Sequence, residues 1–197
     1  MTFQTNLSKY TIILASNSPR RHFLLNEIGL SFKIMKPENV DESFPIELTH
    51  EQVPIYLSKI KAESLKSKLK EADILITADT IVWLNNEVIN KPENRDEAIL
   101  MLKKLSGNTH QVYSGVCITS VKKQYAFSSK TDVKFKILSD DEITFYVDKY
   151  KPYDKAGAYG IQEWIGYIGI EHINGSYFNV MGLPIQKLYN ELNNFIK

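Results

Sequence analysis

The chain lacks most of the features that identify a protein class at once. Its 197 residues hold one cysteine, Cys117, so no intrachain disulfide and no paired-thiol metal cluster can form. A lone thiol suits a reducing compartment, and the expected location is the cytoplasm. No apolar run approaches the ~20 residues needed to cross a bilayer. The longest early run, Thr11–Ala15, is also far shorter than the core of a secretory signal. Charge of neither sign dominates: 24 basic and 23 acidic side chains leave a formal charge of +1. That balance argues against bulk electrostatic binding of nucleic acid or membrane, though not against a local basic pocket. No G-x-x-x-x-G-K-[ST] loop and no G-x-S-x-G elbow occurs. His22, His50, His110 and His172 have neither H-E-x-x-H nor paired-cysteine spacing, which excludes an ordinary zinc site.

What is present is material for a core. Apolar residues make up 43% and aromatics 11%, too much for a disordered chain, and the length fits one large domain or two fused lobes. Thr11–Ala15 predicts a buried strand, Ser16–Pro19 a break, and Arg20–Ile28 a helix stopped by Gly29. A short strand at Phe32–Met35 precedes a polar loop, Lys36–Leu48. Thr49 with Gln52 has capping-box spacing before a helix whose apolar face carries Tyr56, Leu57, Ile60 and Leu65. Asp73–Leu84 is an apolar stretch interrupted at Ala78-Asp79-Thr80, followed by a turn at Asn85-Asn86 and a short strand, Glu87–Ile89. Asn94 with Glu97 caps a helix to Leu105, ended by Gly107. Residues 110–137 alternate as strands and hairpins, and Ser139 with Glu142 opens a helix to about Tyr150. Gly166–Ile170 is expected as a strand, and Pro184–Ile196 as a closing helix. Helices and strands intermingle, so the expected class is mixed α/β.

Three groups of residues carry chemistry. Ser16-Asn17-Ser18-Pro19-Arg20-Arg21 joins a buried strand to a helix start, where backbone N–H groups and the helix dipole favour an anion. Its hydroxyls and guanidinium forks add donors for phosphate oxygens, although a serine cap followed by two solvated arginines is the plainer reading. Asp79 follows the apolar run Ile74–Ile76, where α/β folds place ligand crevices. It could ligate a hard cation or polarise water, or serve only as a turn aspartate. Asp41-Glu42 is a carboxylate pair that alone reads as solvated loop charge. Lys91-Pro92 and Lys155, the latter within Asp154–Gly160, add cations beside small residues. Phosphate-type donors with isolated carboxylates suit metal-assisted attack on a polyphosphate.

With these residues in hand, the chain resembles the Maf family of nucleoside triphosphate pyrophosphatases. The matching segments are Leu14–Arg21, Val40-Asp41-Glu42, Ala78-Asp79-Thr80, Lys91-Pro92, Leu105-Ser106-Gly107 with His110, Asp154–Gln162 and Asn174–Pro184. They run in order across nearly the whole chain, which the resemblance treats as a single domain, residues 1–197. It implies a mixed sheet with two lobes around a cleft, like the inosine triphosphate pyrophosphatases. It also implies hydrolysis of a nucleoside triphosphate to monophosphate and pyrophosphate with a divalent metal, Mg²⁺ or Mn²⁺, and a homodimer. By the same resemblance Asp79 is the proton acceptor, Glu42 and Asp79 are the metal carboxylates, and Ser16, Arg20, Arg21, Lys91 and Lys155 handle phosphate.

Arg20, Thr80 and Gln162 match the family branch that hydrolyses dTTP and UTP; the other branch, which prefers 7-methyl-GTP, differs at all three. A neutral amide at Gln162 can both donate and accept, as a pyrimidine edge requires. Two departures stand out: Glu163-Trp164 where a glycine usually follows the glutamine, and Ser114 in place of a threonine. The rival expectation is a nucleotide-sensing regulator of septum formation that does not hydrolyse its ligand. Retention of both Glu42 and Asp79 speaks against it, because binding alone needs cations more than carboxylates.

Overall fold

A computed structural model describes residues 7–37 and 40–197; residues 38 and 39 of the expected polar loop lie outside it. The elements run β1 (Thr11–Ala15), α1 (Pro19–Glu27), β2 (Lys33–Ile34), α2 (Gln52–Lys66), β3 (Asp73–Leu84), β4 (Glu87–Ile89), α3 (Arg95–Leu105), β5 (Thr109–Thr119) and β6 (Gln124–Phe135). Then come α4 (Asp140–Tyr150), a 3₁₀ turn (Ala156–Ala158), α5 (Trp164–Gly169), β7 (Ile170–Asn174), α6 (Tyr177–Val180) and α7 (Ile185–Phe195). The sheet order is β2-β1-β3-β5-β6-β7, with β4 on β3. β1 pairs in parallel with both β2 and β3, while β3–β4 and β6–β7 are antiparallel. The class is therefore mixed α/β with a mixed sheet, as expected.

The chain divides into two compact units. The first contains the residues up to Asp79, Ser114–Ser129 and Gly182–Lys197; the second contains Thr80–Tyr113 and Lys130–Met181. In the first, β1 and β3 align from Thr11 opposite Asp73 to Ala15 opposite Thr77, and past Thr11 both strands are buried there on both faces. That double burial is why they read as unbroken apolar runs. Ile13, Ala15, Leu75 and Cys117 close a core with Ala62 and Leu65 of α2. Gly29, at φ 72°, takes the left-handed conformation that ends α1 at no steric cost. The turn between β5 and β6 is held by the Ser120 N–H, which donates to the Lys123 carbonyl at 2.8 Å.

In the second unit the rings of His110, Phe135 and Tyr159 meet with centroids 5.1–5.6 Å apart. Helices α3 and α4 pack together and carry the caps expected of them. The Asn94 side chain accepts from the Glu97 N–H, and Ser139 with Glu142 forms a full capping box.

Three expectations need correction. Ala78-Asp79-Thr80 interrupts the burial, with Asp79 and Thr80 half-buried, but not the strand, because β3 continues through it and exchanges its parallel neighbour for β4. The Thr49 box forms only its return half: the Thr49 N–H donates to Gln52 Oε1 at 3.1 Å, and α2 starts at Gln52 itself. Gly166–Ile170 is not a strand. Residues 164–169 are helical, and strand begins only at Ile170. The Gly166 N–H donates to the Glu163 carbonyl at 2.9 Å. A Cβ on Gly166 would lie 1.9 Å from the Ile161 carbonyl oxygen, so tertiary packing decides this segment against its β-branched composition.

Candidate active site

In the first unit, β1 ends at Ala15 and delivers Ser16, which is buried. The Ser16 hydroxyl accepts from the Ser18 N–H at 3.1 Å and from Arg21 Nη1 at 3.5 Å, while His22 Nε2 meets its carbonyl at 2.7 Å. These bonds fold the Ser-Asn-Ser-Pro segment back over the start of α1, where Pro19 occupies the first turn. Arg20 is half-buried beside it.

Arg21 does more than a solvated arginine would. Its Nε donates to the Gly182 carbonyl at 2.7 Å and its Nη1 to the Ala78 carbonyl at 2.8 Å. Burial lowers the guanidinium pKa from its ordinary value; Asp79 and Glu42 oppose that shift and Arg20 adds to it. Arg21 thus pins the loop after β1 to the residue before Asp79.

The carboxylates converge on a residue that motif reading did not single out. Lys61 Nζ lies 2.5 Å from Asp79 Oδ1 and 3.0 Å from Glu42 Oε1, with its side chain 10% exposed. α2 places it there: Val53, Leu57, Lys61 and Leu65 recur every four residues along the buried face. The signal was available as a lysine at i+4 from Leu57 and i−4 from Leu65, hidden among Lys59, Lys66 and Lys68.

The Asp41-Glu42 pair is split in role. Asp41 Oδ1 accepts from the Ser43 N–H and Oδ2 from the Ser43 hydroxyl, both at 2.9 Å, which lowers its pKa and commits it to the loop. Glu42 alone turns to Lys61.

The second unit holds the other expected residues. The Gly157 N–H donates to the Asn90 carbonyl at 3.0 Å, bringing the segment of Lys91 against the turn that follows Lys155. Lys91 is exposed and Lys155 buried. Lys155 Nζ lies 2.7 Å from Asp154 Oδ1 and 3.1 Å from Glu163 Oε1. Thr80, the first residue of this unit, is half-buried. Gln162 has a buried side-chain oxygen with no hydrogen-bond partner. Such an oxygen costs free energy unless a donor arrives. Trp164 packs edge-on against Phe145, ring centroids 4.8 Å apart, and joins α5 to α4. Ser114, which belongs to the first unit, is fully buried in β5.

Among the described residues, no three His, Cys, Asp or Glu side chains group to hold a metal. Glu42 and Asp79 are two oxygen donors meeting at one ammonium. That set fits a hard cation of the Mg²⁺ type, which takes one or two carboxylates and completes its shell with phosphates and water. No described helix is long and apolar enough to cross a membrane.

The chain is similar to known proteins over nearly its whole length. The family model for Maf-like proteins matches residues 11–195. A dTTP/UTP pyrophosphatase of Bacteroides thetaiotaomicron is 54% identical over 187 residues, covering 95% of this chain and 97% of that protein. A dTTP/UTP pyrophosphatase of Porphyromonas gingivalis is 50% identical over 192 residues, 96% of each. The solved structure of a HAM1 protein from Coxiella burnetii covers 94% of this chain and 99% of its own at a TM-score of 0.52 and 13% identity, a likeness of fold.

Proposed function

This chain belongs to the Maf family, and we propose that it hydrolyses dTTP and UTP to the monophosphate and pyrophosphate. The observation that carries the reading is the Glu42–Lys61–Asp79 cluster beside the Ser16–Arg21 loop, at the end of the paired strands β1 and β3. Asp79 takes the proton of the attacking water, and its hydrogen bond from Lys61 fixes the carboxylate for that task. Water oxygen bonds to the α-phosphorus, the bond from that phosphorus to the α–β bridging oxygen breaks, and pyrophosphate leaves with the electron pair. Ser16, Arg20, Lys91 and Lys155 supply donors and positive charge for the phosphates, and Arg21 holds the loop that carries two of them. Glu42 and Asp79 would hold a divalent cation, which when bound would neutralise charge on the phosphates.

For the base, Gln162 offers its unpartnered oxygen to the N3–H of thymine or uracil. Thr80, next to Asp79 in β3, is assigned to the substrate as well. The buried free thiol of Cys117 and the nucleotide substrates fit the cytoplasm, and a homodimer is what the family resemblance implies.

The test is a product analysis. The purified protein, with Mg²⁺ or Mn²⁺, is given dTTP, UTP, ATP and 7-methyl-GTP, and the products are separated by ion-exchange chromatography. dTMP or UMP with pyrophosphate is expected, with ATP turned over poorly. Nucleoside diphosphate with orthophosphate as first products, or preference for 7-methyl-GTP, would overturn the reading. A protein that only sensed nucleotides would form no product.

A further inference from the structure

Glu163 stands where the resemblance leads one to expect glycine, and its side chain is not idle. Its Oε1 pairs with the Lys155 ammonium at 3.1 Å, and its Oε2 accepts the hydroxyl hydrogen of Tyr146. Tyr146 is fully buried on α4, and its hydroxyl oxygen also accepts from the Gly160 N–H at 3.0 Å. Burial first, and the neighbouring Glu163 second, push the Tyr146 pKa up, so the phenol stays a donor. Gly160 leaves room for the carboxylate, since a Cβ there would lie 2.7 Å from Glu163 Cδ. The result is a relay from Gly160 through Tyr146 and Glu163 to Lys155, whose own side chain is only 9% exposed. A lysine carries a flexible four-carbon stem, and its ammonium is held in one place only by partners of this kind. Asp154, at 2.7 Å, is the more exposed of its two carboxylates, at 57%.

We propose that Glu163 is a positioning residue that fixes the Lys155 ammonium for the triphosphate, with Tyr146 fixing Glu163 in turn. The proposal rests on the reading of Lys155 as a phosphate-handling residue of a dTTP/UTP pyrophosphatase. The two can be separated because the alternatives predict opposite signs. If Glu163 were only a negative charge near the phosphates, neutralising it would lower the KM for dTTP. If it positions Lys155, neutralising it raises KM.

The experiment is a double-mutant cycle of Glu163→Gln and Lys155→Met, read as kcat and KM for dTTP hydrolysis. Glu163→Gln is expected to raise KM about tenfold with kcat within about twofold, the pattern of lost uniform binding. In the Lys155→Met background the same change should move KM by less than about twofold, because the residue it acts through is gone. Tyr146→Phe, which leaves the ion pair and frees one carboxylate oxygen, should raise KM about threefold and show the same coupling. It carries the test if Glu163→Gln does not fold. A fall or no change in KM for Glu163→Gln, an equal rise in both backgrounds, or a loss confined to kcat overturns the proposal. A wild-type protein inert toward dTTP would overturn the functional reading and this proposal with it. A Lys155→Met variant of normal KM would overturn this proposal alone.

Discussion

Each unit of the molecule contains a buried lysine between two carboxylates, one nearly covered and one open. In the first, Lys61 meets Asp79, 13% exposed, and Glu42, 55% exposed. In the second, Lys155 meets Glu163, 19% exposed, and Asp154, 57% exposed. The difference lies behind the covered carboxylate. Glu163 has both oxygens engaged, one by Lys155 and one by Tyr146, whereas Lys61 grips Asp79 through Oδ1. A carboxylate bound at both oxygens can hold a neighbour but has little capacity to take a proton. On the proposed reading, the lysine of the first cluster serves the carboxylate, and the carboxylate of the second serves the lysine.

The largest expected effect tests the first half of that contrast. Asp79→Asn keeps the shape and removes the proton-accepting charge, so kcat should fall by roughly 10²–10⁴, as for loss of a general base. Far-UV circular dichroism should be unchanged. A variant retaining more than half of wild-type turnover would reduce Asp79 to a structural role. Lys61→Met should follow, with kcat down by about 10² and KM nearly constant, because the carboxylate keeps its charge but loses its aim. Lys155→Met should do the reverse and act on KM. If both lysine variants fail in the same constant, the contrast collapses.

Acid should distinguish the units through His110. The ring is fully buried, its Nε2 meets the Tyr159 hydroxyl at 2.7 Å, and its Nδ1 has no partner. Burial pushes its pKa down to about 3, against a smaller upward pull from Asp132. The unfolded chain, with an ordinary histidine near 6.5, therefore binds the proton that the folded chain refuses. His110 leaves stability intact above pH 6.5 and erodes it as pH falls from there toward 3. Between pH 6.5 and 5 the loss is ~2 kcal/mol. Urea titrations at the two pH values should show it, and His110→Phe should lessen the pH dependence by that amount. Hydrogen exchange at pH 5 should rise around Phe135 and Tyr159 before it rises in β1. Equal acid sensitivity in the His110→Phe variant would assign the effect to other groups.

Much of this was legible in the sequence wherever the signal was local. β1 and the paired part of β3 announced themselves because both faces are buried, and Asn94 and Ser139 because a cap is chemistry within four residues. The Ser16–Arg21 loop and Asp79 stand out in the sequence because they sit where a strand hands over to a loop or a new partner. Lys61 and Tyr146 escaped because their contacts are non-local. Lys61 lies 18 residues from Asp79 and is identified only by sharing a helical face with leucines. Tyr146 meets Glu163 across 17 residues, through its hydroxyl. Asp41 and Glu42, adjacent and alike in sequence, are separated by one serine that satisfies the first. The missed helix α5 has a local origin: its β-branched residues promise a strand, and the close approach of Gly166 to Ile161 in the turn just before it decides otherwise.

The smallest expected effect belongs to Gln162, which asks whether the second unit reads the base as well as holding phosphate. Its buried oxygen has no partner, so an arriving N3–H would exchange an unsatisfied acceptor for a hydrogen bond. Gln162→Met keeps the length of the side chain and removes the acceptor. One neutral hydrogen bond is worth about 0.5–1.5 kcal/mol, so kcat/KM for dTTP and UTP should fall by roughly two- to twelvefold. ATP, which has no N3–H to offer, should be hydrolysed no worse than before, and the pyrimidine preference should narrow by the same factor. Gln162→Glu keeps an acceptor but adds a charge and removes the amide donor, so it should cost the pyrimidines more than Gln162→Met does. Competition assays with paired triphosphates measure both ratios directly. If ATP and dTTP lose equally in Gln162→Met, the residue shapes the unit without reading the base, and the second unit's contribution reduces to phosphate.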